Sequence, residues 1–65
     1  MKEPKSLTAS MQLTEAEAYA LADLCKRIGW RDVTSLAVDE DEARVMLQAC
    51  DRVREALAQV NVVVR

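Results

Sequence analysis

The feature that most constrains the fold is an apolar seam in the C-terminal half of the chain. Apolar side chains recur there at steps of 3, 4, 3, 4 and 3 residues, at Ala43, Met46, Cys50, Val53, Leu57 and Val60. An α-helix repeats every ~3.6 residues, so this spacing places all six side chains on one helical face. A half-buried strand would instead alternate apolar and polar residues. The seam therefore predicts a long amphipathic helix over residues 40–60.

The two ends of this helix are marked by their own residues. Asp39 is the predicted N-cap, and Glu42, three positions later, is its predicted partner in a capping box. Asn61 can adopt the left-handed conformation that ends many helices. The β-branched residues after it have no helical partner face, so we expect residues 62–65 to form a C-terminal tail.

The N-terminal half of the chain predicts two more helices. Thr14 and Glu17 have the spacing of a capping box, which starts a helix over residues 15–28. Gly29 is expected to end this helix in the left-handed conformation. The apolar stripe of the helix consists of Leu21, Leu24, Cys25 and Ile28. A short helix over residues 31–37 follows from the spacing of Trp30, Val33, Leu36 and Ala37.

Together these elements predict an all-α fold, a small three-helix domain in which two long amphipathic helices are joined by a short helix. The single domain spans residues 13–61 and follows a mobile N-terminal tail at residues 1–12. One glycine and one proline in 65 residues also favour helices over a sheet. The predicted core consists of Leu21, Leu24, Ile28, Trp30, Leu36, Met46, Val53 and Leu57.

The chain has few of the residue types that catalysis or cofactor binding requires. It contains no histidine, so neither a Ser–His nor a Cys–His nucleophile can form. Cys25 and Cys50 are too few for a four-ligand zinc site, and a single glycine cannot build a phosphate-binding loop. Both cysteines lie on apolar stripes, so we expect reduced packing residues, and a disulfide only if the helices bring them face to face. The sequence predicts a protein that is not an enzyme and uses no cofactor or metal.

Negative charge is concentrated in the predicted domain. Residues 13–60 hold ten acidic and six basic side chains. This excess argues against direct nucleic-acid binding, which needs a basic surface, and favours a basic protein partner. No apolar run approaches the ~18 residues of a membrane span, and residues 1–10 lack a hydrophobic signal core. We therefore expect a cytoplasmic protein without membrane contact.

Four adjacent carboxylates in the stretch VDEDEAR, residues 38–44, are the most unusual feature of the charge pattern. Acids at a helix N-terminus cap it and complement its dipole, and Glu40 can pair with Arg44 one turn later. Two acids satisfy the cap and the dipole, so Asp41 is surplus. Capping alone and recognition of a basic partner both stay open as interpretations. The candidate partner-binding residues are Asp32, Asp39, Glu40, Asp41, Glu42, Glu15 and Glu17.

Three segments of the chain, LTEAEAYALADLCKRIGW, SLAVDEDEA and VREALA, carry a resemblance to known proteins. They lie between residues 13 and 58 and resemble a group of small helical proteins of proteobacterial mobile elements. That group is similar to an anti-CRISPR protein that acts on type I-C surveillance complexes. The shared motifs are capped amphipathic helices rather than catalytic signatures. The ending NVVVR departs from the glycine-containing tail of the group.

The resemblance implies an anti-CRISPR inhibitor of a type I complex, and of type I-C in particular, in the cytoplasm of a bacterial host cell. Some anti-CRISPR proteins are DNA mimics, which present carboxylates where a basic channel binds phosphates. The implied partner is the large subunit that reads the protospacer-adjacent motif (PAM). We therefore expect a monomer that blocks PAM binding without contacting nucleic acid.

Two other functions fit the sequence. One is a non-enzymatic helical bundle protein that dimerises through the seam or acts as an adaptor, with its acids only capping helices. The other is a helix-turn-helix protein that binds DNA. The arginines available for DNA binding are Arg27, Arg31, Arg44, Arg52 and Arg54. Asp23, Asp51 and Glu55 lie at helical spacings that neutralise several of them, which argues against DNA binding.

Overall fold

Three helices form the protein in the computed structural model, which describes residues 5–63. They are α1 (Glu15–Arg27), α2 (Trp30–Leu36) and α3 (Glu40–Gln59). No strand occurs between residues 5 and 63, so the predicted all-α class is confirmed, and each helix boundary lies within one residue of its predicted place. The predicted tails extend past the described residues at both ends, and residues 5–12 are exposed without regular secondary structure.

Helix α1 begins with the predicted capping box. The Thr14 amide donates to Glu17 Oε1 at 2.9 Å, and the Glu17 amide donates to Thr14 Oγ1 at 3.1 Å. The prediction for its other end is wrong, because Gly29 is extended, with φ −122° and ψ −177°, and is the N-cap of α2. The next helix starts immediately, so the chain leaves α1 through extended residues instead of a left-handed turn.

Helix α3 ends in a Schellman motif, which contains the left-handed residue predicted at Asn61. Asn61 has φ 68°, and its amide donates to the Ala58 carbonyl at 3.0 Å. The Val62 amide donates to the Leu57 carbonyl at 2.9 Å, and Val62 packs against the core cluster that contains Leu57. This pair of hydrogen bonds and its apolar contact define the motif. The first residue of the predicted tail therefore belongs to the packed structure.

Replacing Asn61 by alanine is expected to lower the free energy of unfolding by about 1 kcal/mol, because alanine tolerates left-handed backbone less well than asparagine. Asn61→Gly is the control and should be neutral or slightly stabilising, since glycine has no Cβ to clash. Urea unfolding followed by circular dichroism measures both variants. Equal losses in the two variants would show that the asparagine side chain, and not the backbone conformation, holds the turn.

Helix α3 is the centre of the arrangement. Both α1 and α2 pack against α3, and within residues 5–63 they do not pack against each other. Helix α1 runs antiparallel to α3, since Ala18 near its start clusters with Leu57 while Cys25 near its end meets Cys50. The shortest dimension of the molecule is 16 Å, about the depth of two packed helices. The fold is therefore a thin two-layer assembly with little interior.

The core is built mostly from small side chains. Its buried members are Ala18, Ala22, Cys25, Val33, Ala43 and Leu57. Leu57 was expected there, and the predicted core residues Leu21, Ile28, Met46 and Val53 are half-buried. The predictions for Leu24, Trp30 and Leu36 are wrong, because these side chains are 59%, 44% and 71% exposed.

The error has a geometric cause in each helix. Helix α1 meets α3 through Ala18, Ala22 and Cys25, and Leu24 is turned about 100° around the helix from Cys25. Helix α2 packs only on α3 and buries Val33. Trp30 and Leu36 lie three positions before and after Val33. Each is turned about 60° around the axis of α2 from Val33 and remains open to solvent.

Candidate binding site

The candidate site is the acidic run, Asp39 to Glu42, at the N-terminus of α3. Asp39 is the N-cap, as predicted, and its Oδ1 accepts from the Glu42 amide at 2.8 Å. The predicted capping box is not complete, because Glu42 Oε1 accepts from the Val38 amide at 3.1 Å instead of from the Asp39 amide. The extended conformation of Asp39, with φ −156°, carries the chain away from α3 and brings Val38 within reach. Two of the four carboxylates therefore hold the start of the helix.

The other two carboxylates of the acidic run share one arginine. Arg44 Nη1 lies 2.9 Å from Asp41 Oδ1, and Arg44 Nη2 lies 3.7 Å from Glu40 Oε2. The side chains of Asp41 and Glu40 are 93% and 75% exposed. Ion pairs this exposed contribute little to stability. Residues 39–44 carry four carboxylates against one guanidinium, so a net negative charge faces solvent at this tip of the molecule.

Asp32 stabilises the start of a different helix, α2, whose N-cap is Gly29. Asp32 Oδ2 accepts a hydrogen bond from the Gly29 amide at 2.8 Å, in the first turn of α2. Asp32, one of the candidate partner-binding residues, therefore has a local structural role. Asp32 remains exposed, one short helix away from the acidic run.

Glu15 and Glu17 lie at the opposite end of the molecule from the acidic run. Helix α1 is antiparallel to α3, and its first turn lies near Leu57. Seventeen residues of α3 separate Leu57 from Glu40, which corresponds to about 25 Å along the helix axis. Glu17 completes the capping box of α1 with the N-cap Thr14, and Glu15 is exposed in the same first turn. The seven candidate acids thus do not form one surface.

Exposed apolar side chains form a feature that sequence reasoning missed. The predicted core residues Leu24, Trp30 and Leu36 are exposed, and so is Val45 on α3. The signal that could have revealed them was the pair of alanines at positions 18 and 22, four residues apart on one face of α1, which permits close helix packing. The predicted dimerisation seam is largely covered instead, since all of its members except Val60 are buried or half-buried.

The two cysteines meet across the α1–α3 interface. Both are free thiols; Cys25 is buried and Cys50 is half-buried. Burial raises the pKa of the Cys25 thiol, and its hydrogen bond with Cys50 raises that pKa further. A raised pKa keeps the Cys25 thiol protonated at neutral pH, in keeping with its buried place in the core.

The described surface outside the acidic run offers little for other kinds of site. Within residues 5–63, no group of three or more histidine, cysteine or carboxylate side chains is placed to hold a metal ion. None of the helices in that range has both the length and the apolar character of a membrane span. An open concavity of about 350 Å³ lies between α1 and the end of α3. Its charged lining is Asp51, Arg54 and Glu55. Of the arginines considered for DNA binding, Arg27 pairs with Asp23 at 3.0 Å.

Comparison with known proteins places the chain in a family. No curated protein and no solved structure matches it. The model of DUF7706, a family described as one of unknown function, matches residues 1–65. The capped three-helix domain described above is therefore the structure of one member, and on a match over its whole length the chain belongs to the DUF7706 family.

Proposed function

We propose that this chain is a non-enzymatic inhibitor that occupies a basic DNA-binding surface of another protein, where its carboxylates take the place of phosphates. The observation that carries the proposal is the exposure of Asp41 and Glu40 at the tip of α3. Asp39 and Glu42 already hold the helix N-terminus, so the exposed pair is not needed for capping. A channel built to bind phosphates also attracts other anions of suitable spacing.

The proposed target is a type I CRISPR surveillance complex, and type I-C in particular, in the cytoplasm of a bacterial cell. The sequence resemblance to small proteins of mobile elements supports this choice. Within such a complex, the large subunit that reads the PAM offers a basic surface to target DNA. A monomer bound there would block DNA access by charge and by bulk, without any catalytic step.

The separation of the acids narrows the proposed contact. The acidic run lies at one tip of the molecule, while Glu15 and Glu17 lie about 25 Å away along α3. We therefore assign partner binding to the acidic run, with Asp32 as its flank. Glu15 and Glu17 then serve as an internal comparison, because they are also exposed acids at a helix N-terminus.

Replacing Asp41 by asparagine is expected to weaken binding to a purified type I surveillance complex by about two- to fivefold. This factor corresponds to the binding free energy of one exposed ion pair. The melting temperature should hardly change, because the pair with Arg44 is exposed. Asp41→Lys should weaken binding more, since repulsion replaces attraction. Affinities at two salt concentrations measure these effects, and wild-type binding should weaken as salt rises.

Glu15→Gln is the matched control for Asp41→Asn. It also removes one exposed carboxylate from a helix N-terminus, and it should leave the affinity unchanged. Equal affinities for wild type and both Asp41 variants, with no dependence on salt, would show that the acidic run only caps α3. A loss in Glu15→Gln equal to that in Asp41→Asn would show that the whole net charge matters and not this tip.

A second candidate function is a helical adaptor or dimer, and the exposed Leu24, Trp30 and Leu36 favour it. Large exposed apolar side chains are often found where another protein binds. Dimerisation through the seam itself would compete with the packing of α1 and α2, so these three side chains would have to supply the contact. Sedimentation at low protein concentration separates the candidates, because the inhibitor proposal expects a monomer.

A further inference from the structure

We propose that Cys25 and Cys50 are a site of oxidative modification, at which an intrachain disulfide ties α1 to α3. The register of the two helices places the cysteines opposite each other. From Ala18 to Cys25 the chain advances seven residues, about two turns of α1. From Leu57 back to Cys50 it also covers seven residues of α3. Ala18 and Leu57 share a core cluster, so the antiparallel helices bring the cysteines together two turns farther on.

Direct contact supports the same pairing. The Cys25 thiol is close enough to Cys50 for a hydrogen bond between them, and both cysteines are free thiols. A disulfide requires Cβ atoms within about 4.5 Å of each other. The alanines at positions 18 and 22 leave room for this, because small side chains let two helix backbones approach closely. The two thiols are thus neighbours across the α1–α3 interface, as a disulfide requires.

A low-molecular-weight disulfide such as oxidised glutathione can supply the oxidising power. Cys50 is the accessible thiol, and its thiolate attacks one glutathione sulfur and releases the first reduced glutathione. Cys25 then loses its proton to water, and its thiolate attacks Cys50 Sγ in the mixed disulfide and releases the second reduced glutathione. The protein loses two hydrogens and two electrons, and one oxidised glutathione becomes two reduced ones. The buried Cys25 reacts only in the second, intramolecular step.

Oxidation of the folded, full-length chain tests this proposal. Incubation with oxidised glutathione should give a monomer whose intact mass is lower by two hydrogens. Its melting temperature should rise by about 10 °C, because the disulfide restricts the unfolded chain, and the rise should disappear on reduction. Cys50→Ser is the control, since it removes one partner at the half-buried position and leaves the core residue Cys25 in place. The oxidant should not raise its melting temperature.

Several results would overturn the proposal. A stable glutathione adduct would show that Cys25 cannot reach Cys50 Sγ, and a disulfide-linked dimer would show that pairing between chains is preferred. Resistance to oxidation would show that the helices never expose Cys50 to the reagent. An oxidised monomer with an unchanged or lowered melting temperature would show that the disulfide does not tie α1 to α3 in their native arrangement. The experiment needs no binding partner, so its outcome is independent of the proposed function.

Discussion

Replacing Leu57 by alanine is expected to lower the free energy of unfolding by about 3 kcal/mol, from lost burial and the cavity left behind. Leu57 is the largest side chain in the buried core, and Ala18, Ala22 and Val62 belong to the cluster around it. A domain of this length has a small stability margin, so the loss is a large share of the total. Urea unfolding followed by circular dichroism gives the free energy of each variant.

Leu24→Ala is the control for this experiment. It makes the same chemical change on α1 at a side chain that is mostly exposed, and it should alter the free energy of unfolding by about 0.5 kcal/mol at most. A loss in Leu24→Ala equal to that in Leu57→Ala would mean that α1 turns its leucine stripe toward α3. That result would restore the core expected from the sequence.

The helix boundaries could be predicted because local signals encode them. Thr14 with Glu17, and Asp39 with the Glu42 amide, form hydrogen bonds across three residues, and such bonds need no knowledge of the rest of the fold. Asn61 is a local signal of the same kind. Gly29 was misread because a helix stop and a helix N-cap both accept glycine, and only the position of α2 decides between them.

The core could be predicted only in part, because hydrophobicity does not determine which helical face meets a neighbour. In α1 the leucine at position 24 has far more apolar surface than the alanines at positions 18 and 22, yet the alanines are buried. Small side chains allow α1 to approach α3 closely, and this advantage depends on the partner helix. Helix α2 leaves the apolar side chains of α1 uncovered, because it packs on α3 alone.

The candidate site shows the same division between local and tertiary information. The pairing of Glu40 with Arg44 followed from helical spacing, and the structure has this pair. The distance between Glu15 and the acidic run did not follow from the sequence, because it depends on the antiparallel packing of α1 on α3. Charge counted along the chain therefore overstated the acidic surface, because the candidate acids lie near opposite ends of α3.

Replacing Ala43 by leucine is expected to lower the free energy of unfolding by about 2 kcal/mol, the typical cost of forcing extra methylene groups into a packed site. Ala43 has no exposed surface, and it lies in the first turns of α3 directly after the acidic run. Urea unfolding again measures the change. Ala49→Leu is the matched control, because position 49 lies on the same helix and is exposed, so its free energy of unfolding should hardly change.

The pair of alanine variants tests whether close approach through small residues, rather than burial of large ones, organises this end of the fold. If Ala43→Leu is neutral or stabilising, a void must lie beside position 43, and the helices are not packed through their alanines. If both variants lose about 2 kcal/mol, position 49 is covered as well, which would require a second copy or another protein against the outer face of α3. A loss confined to Ala43→Leu fits α3 as the closely packed centre of a monomer.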